Sequence, residues 1–335
     1  MEKGTAMETV INSTDEQNAA LVKAAARLRI KELINRLIPF LGLLVLVVFF
    51  QIVSEGKLLT TNNLMLIFKQ GFALFIAATA AVFVMATGNL DFSIGAAIGF
   101  ACACATLAAK YIAPWTAIPV AVLVGMGVGM INGFTSTVLK LPSFLACLCM
   151  MFILMAGTQS LITGTSIMMP PSMVMWETDG MKIAFAVIYL IVMIILFNYT
   201  PVGKQLRSLG VSPEAARQSG VDIKGMQFWA YTITGLAAGM AGFFLMLRTG
   251  GAATTTGQTL TTDVIIAIVF GGMSVSGGAT SKIIAAILGT LIVAVLNNGM
   301  ILAGFGGDAQ QLVKGLLFLA IVSVSIKRDK NVIVK

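Results

Sequence analysis

Residues 204–224 read KQLRSLGVSPEAARQSGVDIK, the longest strongly polar run inside an otherwise apolar chain. Ser212 can cap a helix, Pro213 suits the first helical position, Glu214 lies at the positive end, and Gly220 can end the helix in a left-handed conformation. That spacing predicts a two-turn helix roughly 10 Å long. A helix so short is not stable in water alone, so the flanking helices or another protein must hold it. Ala215 and Ala216 are expected to leave one face without bulk, which with Arg217 at the edge suits insertion into a partner's groove. A capped turn that touches nothing satisfies the same local physics.

Outward from this run, composition sets the class. A chain 58% hydrophobic and 11% charged, with mean hydropathy +0.94, cannot cover a soluble globule with polar side chains and must be solvated by lipid. The expected fold is all-α and polytopic, with about ten transmembrane helices, some short or broken. Apolar runs place the spans at 37–54, 69–87, 92–109, 114–131, 143–163, 181–200, 226–247, 263–273, 282–303 and 309–326. The eighth is shorter than the ~20 residues a crossing helix needs, so it is a broken helix or extends back into 254–262. Domain organisation follows: a tail over 1–36, a membrane domain over 37–326 holding the polar loop 201–225, and a second tail over 327–335.

The net charge of +8 is topological and does not point to nucleic acid, because most Lys and Arg lie in short segments beside apolar runs. Ten spans put both termini on one side. That side, with the 201–225 loop, takes 16 of the 22 Lys and Arg. Lys57, Lys69, Lys110, Lys182 and Arg248 go to the other, and Lys314 falls inside a span. The bias places both termini and the short helix in the cytoplasm. Leu21, Ala25 and Leu28 share a face beside Lys23, Arg27 and Lys31, which suits a basic helix on the membrane surface; a disordered tail is the alternative. No cleavable signal peptide is expected.

Irregular places come next. In Gly88-Asn89-Leu90-Asp91-Phe92-Ser93 the glycine breaks a helix and Asp91 can cap the following one, a position that lowers the cost of a carboxylate at membrane depth. Gly271 to Ala279 weakly echoes the Gly, Ser, Gly and Ala places of Gly88 to Ala96, with Ser274 in the break. Interrupted segments in matching places point to a transport pathway, although small residues are common in packed membrane helices. Gln70, Asn89, Asp91, Ser93, Asn132, Asp263, Ser274, Asn297 and Asn298 are the candidates for the path or for helix breaks. Gln159 and Gln311 are further intramembrane amides. Such amides bond across helices or coordinate a hydroxylated solute. Lys314 is expected to snorkel to the near end of its span.

Cys102 with Cys104, and Cys147 with Cys149, are two apart on predicted helices and turned about 200° from each other. They are expected to be packing residues, not metal ligands or redox partners. The chain has no histidine and no phosphate-binding G-x-x-x-x-G-K-[ST]. No bound cofactor is expected, and uphill transport would need an ion gradient or a separate protein.

The stretches GNLDFSIGA at 88–96, NG at 132–133 with LPSFLACLCMM at 141–151, GVSPEAARQSGV at 210–221, Asp263 to Gly278, LNNGM at 296–300 and QLVKG at 311–315 carry a family resemblance. In order and spacing the chain resembles the permease subunits of bacterial ATP-binding-cassette importers of the ribose, xylose and galactose type. The resemblance implies paired ten-span subunits in the inner membrane, as a homodimer or with a related permease. It implies ATPase subunits that use ATP and Mg in the cytoplasm, and a periplasmic or lipid-anchored binding protein that delivers a sugar. By position, Ser212, Pro213, Glu214, Ala215, Ala216, Arg217 and Gly220 would be the coupling residues. The sequence departs from the pattern at Thr261-Thr262-Asp263, where Glu-Leu-Asp is frequent, at Cys147 and Cys149, and at Asn89. Related permeases serve nucleosides and branched-chain amino acids. An ion-coupled transporter using Asp91 or Asp263 is the rival class, and a membrane scaffold a third.

Overall fold

A computed structural model describes residues 37–325. The surface helix expected within 1–36 and the tail at 327–335 lie outside the described residues. Among the described residues, seven helices are long and apolar enough to cross a membrane. They are α2 (Thr61–Ala86), α3 (Ile94–Tyr111), α4 (Ala117–Thr137), α5 (Ser143–Leu161), α6 (Asp179–Ile194), α9 (Ile223–Thr249) and α11 (Ile283–Leu302). A 3₁₀ turn at Pro114–Thr116 leads into α4, and a π-helical turn at Ile195–Tyr199 ends α6. Shorter apolar helices are α1 (Leu37–Val53) and α10 (Leu260–Phe270); α12 (Gly307–Ser325) follows α11. These ten helices fall on the ten expected spans. The helices α7 (Pro201–Val211) and α8 (Pro213–Gln218) occupy the polar run.

Several expected boundaries move, the second and eighth spans among them. The second span begins at Thr61 instead of 69 because Asn63 is buried and finds partners: its amide donates to the Leu58 carbonyl at 2.8 Å and to Asn298 Oδ1 at 2.9 Å. Lys69 therefore lies inside α2 instead of at its first residue, 2.9 Å from Asp179. The eighth span is the broken helix α10, 11 residues long. The only strands among the described residues are β1 (Ser166–Met168) and β2 (Gly251–Ala253), an antiparallel ribbon pairing Ile167 with Ala252. At this ribbon end Lys182 pairs with Glu177 at 2.7 Å, and Arg248 donates to the Gln70 carbonyl at 3.2 Å.

Helix α9 is the centre, packed by α2, α3 and α4. Its crossing with α4 is set by glycine. Gly125 and Gly129 lie against Gly235 and Gly239 so closely that a Cβ on any of them would overlap backbone of the other helix. Small residues four apart let membrane helices approach to backbone contact, where van der Waals packing replaces the hydrophobic drive that lipid removes. Helices α10 and α11 pair with each other and lie against α2. Helix α6 is mostly exposed and is held by Tyr189, whose hydroxyl donates to the Ile76 carbonyl at 2.7 Å, and by Phe185 packed on Phe244 with ring centroids 4.6 Å apart.

The chain between α2 and α3 folds back. Gly88 lies beside the Ser276 carbonyl, beyond the end of α10, whereas the Phe92 carbonyl accepts from the Thr261 hydroxyl at the start of α10, at 3.2 Å. The linker thus runs the length of α10, about 16 Å for an eleven-residue helix, a distance that five extended residues can span. Helices α3 and α10 consequently begin side by side, with the Gly95 N–H donating to Thr261 Oγ at 3.1 Å.

Candidate functional site

Helix α8 starts as its residues dictate. Ser212 has extended backbone angles, and its hydroxyl accepts from the Ala215 N–H at 3.3 Å. Pro213 takes the first position, and Gly220, at φ +81° with open space around it, turns the chain toward α9. Glu214, Ala215 and Arg217 are exposed. Ala216 is not. It is 3% exposed and faces the protein, and its carbonyl accepts from the Val221 N–H. The small face expected of Ala215 and Ala216 is therefore divided, because one flank of so short a helix has to be anchored.

That anchoring continues through α7. Leu206 and Leu209 are buried. Arg207 lies over the Phe197 ring at 4.5 Å and donates to the Phe197 carbonyl at 3.1 Å and to Asn198 at 2.9 Å, clamping α7 to the π turn. At the far end of α7, Gly210 meets the Ala86 carbonyl and Gly278 at backbone contact: a Cβ there would overlap the carbonyl oxygen and stand 2.6 Å from Gly278 N. The Gly278 N–H itself donates to that carbonyl at 3.1 Å. Three residues before α8, three backbones cross: the end of α7, the end of α2, and the loop after α10.

The linker carries the second part of the site. Asp91 Oδ1 accepts from the Ser93 N–H at 2.8 Å and the Ser93 hydroxyl at 2.7 Å. Asp91 thus closes a turn in the linker and does not cap the first turn of α3 as expected; Ser93 occupies the cap position with helical angles and no side-chain cap bond. The Asn132 amide donates to Ser93 Oγ at 2.7 Å, and the Ser143 hydroxyl to Asn89 Oδ1 at 2.9 Å. Four of the expected residues, Asn89, Asp91, Ser93 and Asn132, are therefore brought together from the linker and α4, with Ser143 of α5 added. On the other side of the linker, Met85, Asn89, Asp91, Val264 and Ile268 border a crevice with room for about one water molecule.

Asp263 belongs to a separate cluster. Lys314 of α12 lies 2.6 Å from its Oδ1, both side chains being 7% exposed, and the Asn297 amide donates to its Oδ2 at 3.3 Å. The expected snorkelling of Lys314 is thereby corrected: a buried carboxylate one helix away holds the ammonium more strongly than a distant interface could. Asn298 and Asn63 exchange amide hydrogen bonds at 2.9 and 3.1 Å, joining α11 to α2. Gln70 is partly buried at the ribbon end, and Gln159, Ser274 and Gln311 are exposed; none of them joins either cluster. All four cysteines are free, Cys102 and Cys147 buried, Cys104 partly so and Cys149 exposed.

A membrane bundle with broken helices, a buried polar seam and an exposed capped helix at one end has the parts of a transport pathway. The family described as the permease component of the branched-chain amino acid transport system matches residues 63–322. The chain belongs to this family. As a permease component it is similar to the ribose import permease of Bacillus subtilis (strain 168), 29% identical over 91% of this chain and 96% of that protein. It is also similar to the galactofuranose transporter permease of Escherichia coli (strain K12), 30% identical over 76% of each. The fructose import permease of Rhizobium meliloti is 28% identical over 86% of this chain and 84% of its own length. No solved structure matches.

In this permease the sequence did not reveal the partners that lie far along the chain: Ser143 for Asn89, Thr261 for Phe92 and Gly95, Lys314 for Asp263, Asn63 for Asn298. Gly210 carried a usable signal, since a glycine at the end of an amphipathic helix, just before a capped one, has to be there for close approach or for a turn.

Proposed function

We propose that the chain is the transmembrane permease subunit of an ATP-binding-cassette importer for a monosaccharide. A separate cytoplasmic ATPase that uses ATP and Mg drives it. A periplasmic or lipid-anchored binding protein delivers the sugar, and a second permease copy or a related permease completes the path in the bacterial inner membrane, with both termini cytoplasmic. One observation carries this: an exposed, charged two-turn helix is anchored on one flank, and its base is interlocked with the two loops at which the membrane helices break. The sugar class is supported by the names of the relatives and by the neutral amide and hydroxyl groups around the linker.

Alternating access is the fitting mechanism. Closure of the ATPase pushes α8, α7 transmits the push to the ends of α2 and α10, and the bundle rocks between orientations. An ion-coupled carrier would need a carboxylate free to bind and release its ion. Asp263 is already matched by Lys314, which removes one of that rival's two carboxylates and leaves Asp91. Reversal of charge in Glu214→Lys is expected to abolish stimulation of the ATPase and sugar uptake in vesicles while membrane insertion stays intact; undiminished uptake would remove α8 from the mechanism.

A further inference from the structure

Between β2 and α10 the chain reads Thr254-Thr255-Thr256-Gly257-Gln258-Thr259, with neither helix nor strand. Helix α3 fixes how deep this stretch lies. Tyr111 and Trp115, both exposed, mark the far end of α3, as aromatic side chains do at a membrane interface. Farther back on α3, Gly99 lies against the Thr256 carbonyl, so closely that a Cβ would overlap it, about 18 Å from Tyr111 along the helix. The stretch thus reaches about the middle of a ~30 Å hydrocarbon layer. Yet it is not enclosed. Thr255, Gln258 and Thr259 are exposed, as are Thr262 in the first turn of α10 and Thr163 and Thr165 beside the ribbon, where the Thr165 carbonyl accepts from the Thr254 N–H at 3.2 Å. Among the described residues, the N–H groups of Thr255, Gly257 and Thr259 have no backbone acceptor.

Lipid cannot satisfy such groups. Irregular backbone at membrane depth persists only where protein buries it or where it lines a water-filled cavity. This chain leaves it open. A close-packed contact in this molecule looks different: α4 meets α9 through glycines, with no room for side chains. Branched hydroxyl side chains, a long amide and open backbone donors are instead what water satisfies without a matched partner.

We infer that Thr163, Thr165, Thr255, Gln258, Thr259 and Thr262 form one wall of a water-filled half-channel that reaches the middle of the membrane. The ribbon follows the end of α9 and α8 precedes its start, which sets the mouth about 40 Å from α8, at the opposite end of the bundle. The inner end comes to the Asp91 linker: Thr262 and Ile265 are three apart on α10 and share a face, and Ile265 borders the crevice beside Asn89 and Asp91. The wall has hydroxyls and one amide but no charge, since the adjacent Asp263 is turned inward to Lys314. An uncharged solute bearing hydroxyl groups is the class that such a wall passes. The wet wall stands by itself, and only the sugar as its passenger rests on the importer proposal.

The test places single cysteines in the full chain, assembled with its ATPase and binding protein in vesicles, and applies a charged, membrane-impermeant methanethiosulfonate from the side opposite α8. A thiol reacts as its thiolate, which forms where water reaches it and not in hydrocarbon. Thr255→Cys and Gln258→Cys are expected to gain label over the wild type at least about tenfold faster than Phe152→Cys, on the exposed apolar flank of α5. Both wall side chains are exposed, so neither replacement disturbs packing. Labelling of both at the rate of Phe152→Cys overturns the half-channel. A ready disulfide between two copies through Gln258→Cys, without labelling, puts a second permease against the wall and overturns it too. The passenger is read separately: labelled Gln258→Cys is expected to lose most of its sugar uptake while labelled Phe152→Cys keeps it, and uptake that survives labelling takes the sugar off this wall. If the wild type carries no monosaccharide, the importer proposal fails alone, and the labelling rates still decide the half-channel.

Discussion

Two carboxylates lie among the apolar helices, Asp263 buried and Asp91 partly buried, and are satisfied in opposite ways. Asp263 has a full counter-charge at 2.6 Å and an amide on its second oxygen. Asp91 has a backbone N–H, a hydroxyl and the neighbourhood of a thiol. Ion pairs of the first kind are expensive to break one member at a time, because the remaining charge stays buried without a partner, whereas removing both members is nearly neutral. Lys314→Met alone is therefore expected to destabilise the protein by roughly 3 kcal/mol or more, and Asp263→Asn with Lys314→Met to recover most of that loss. Thermal unfolding of the detergent-purified variants reads both. If the single variant melts with the wild type, the pair does not hold α12 to α10. Asp91 follows a different rule: Asp91→Asn keeps one acceptor for Ser93, so its expected effect is on transport rather than on melting.

At the scale of elements, the decisive contact is the crossing of α7 with the ends of α2 and the loop after α10. Gly210 has no room for a side chain there, and Gly277 presses in the same way on Met85 and Gly88. In Gly210→Val the three backbones have to separate, which shifts α8 relative to the linker it serves. The expected result is a protein that inserts and binds its ATPase but whose uptake falls at least about tenfold, since misplacing a positioned group by about 1 Å costs up to ~10²-fold in rate. Gly315→Ala, on α12 with nothing near its Cβ position, is the matched control and should transport normally; equal rates for both would remove the crossing from the transmission path. Existence and order of the spans were legible because a membrane span has to be long and apolar, and the capped α8 because Ser-Pro-Glu and Gly220 each have a local physical reason; α7 and the β1–β2 ribbon were not read. What was not legible depended on contacts far apart in the chain. Thr261 reads only as a departure from the Glu-Leu-Asp frequent in similar permeases until the fold shows its hydroxyl bridging Phe92 and Gly95. Ala216 looks as free as Ala215 until the helix is docked. Lys314 looks like a residue near a span's end until Asp263 arrives beside it.

For the whole molecule, the arrangement of burial defines what the chain can do alone. Helices α2 and α9 are enclosed, whereas α5 and α6 leave large apolar side chains such as Phe152, Ile153 and Ile188 more than 60% exposed, a surface that only lipid or another membrane protein can cover. The sequence contains no G-x-x-x-x-G-K-[ST], and of the two carboxylates Asp263 and Asp91 the first is neutralised by a fixed cation. Under the importer proposal this body opens and closes a path and takes its direction from elsewhere, because a ligand or gradient shifts an equilibrium only by its differential affinity for the two states. In that proposal direction comes from the ATPase that pushes α8. Vesicles carrying the chain alone are accordingly expected to equilibrate sugar slowly or not at all. Vesicles carrying the complete assembly should accumulate it with ATP on the α8 side, and a protonophore should leave that accumulation unchanged while ATP is maintained. Accumulation by the isolated chain, or collapse of uptake on adding the protonophore at constant ATP, would assign the energy to an ion gradient and make Asp91, the carboxylate without a fixed cation, the residue to examine first.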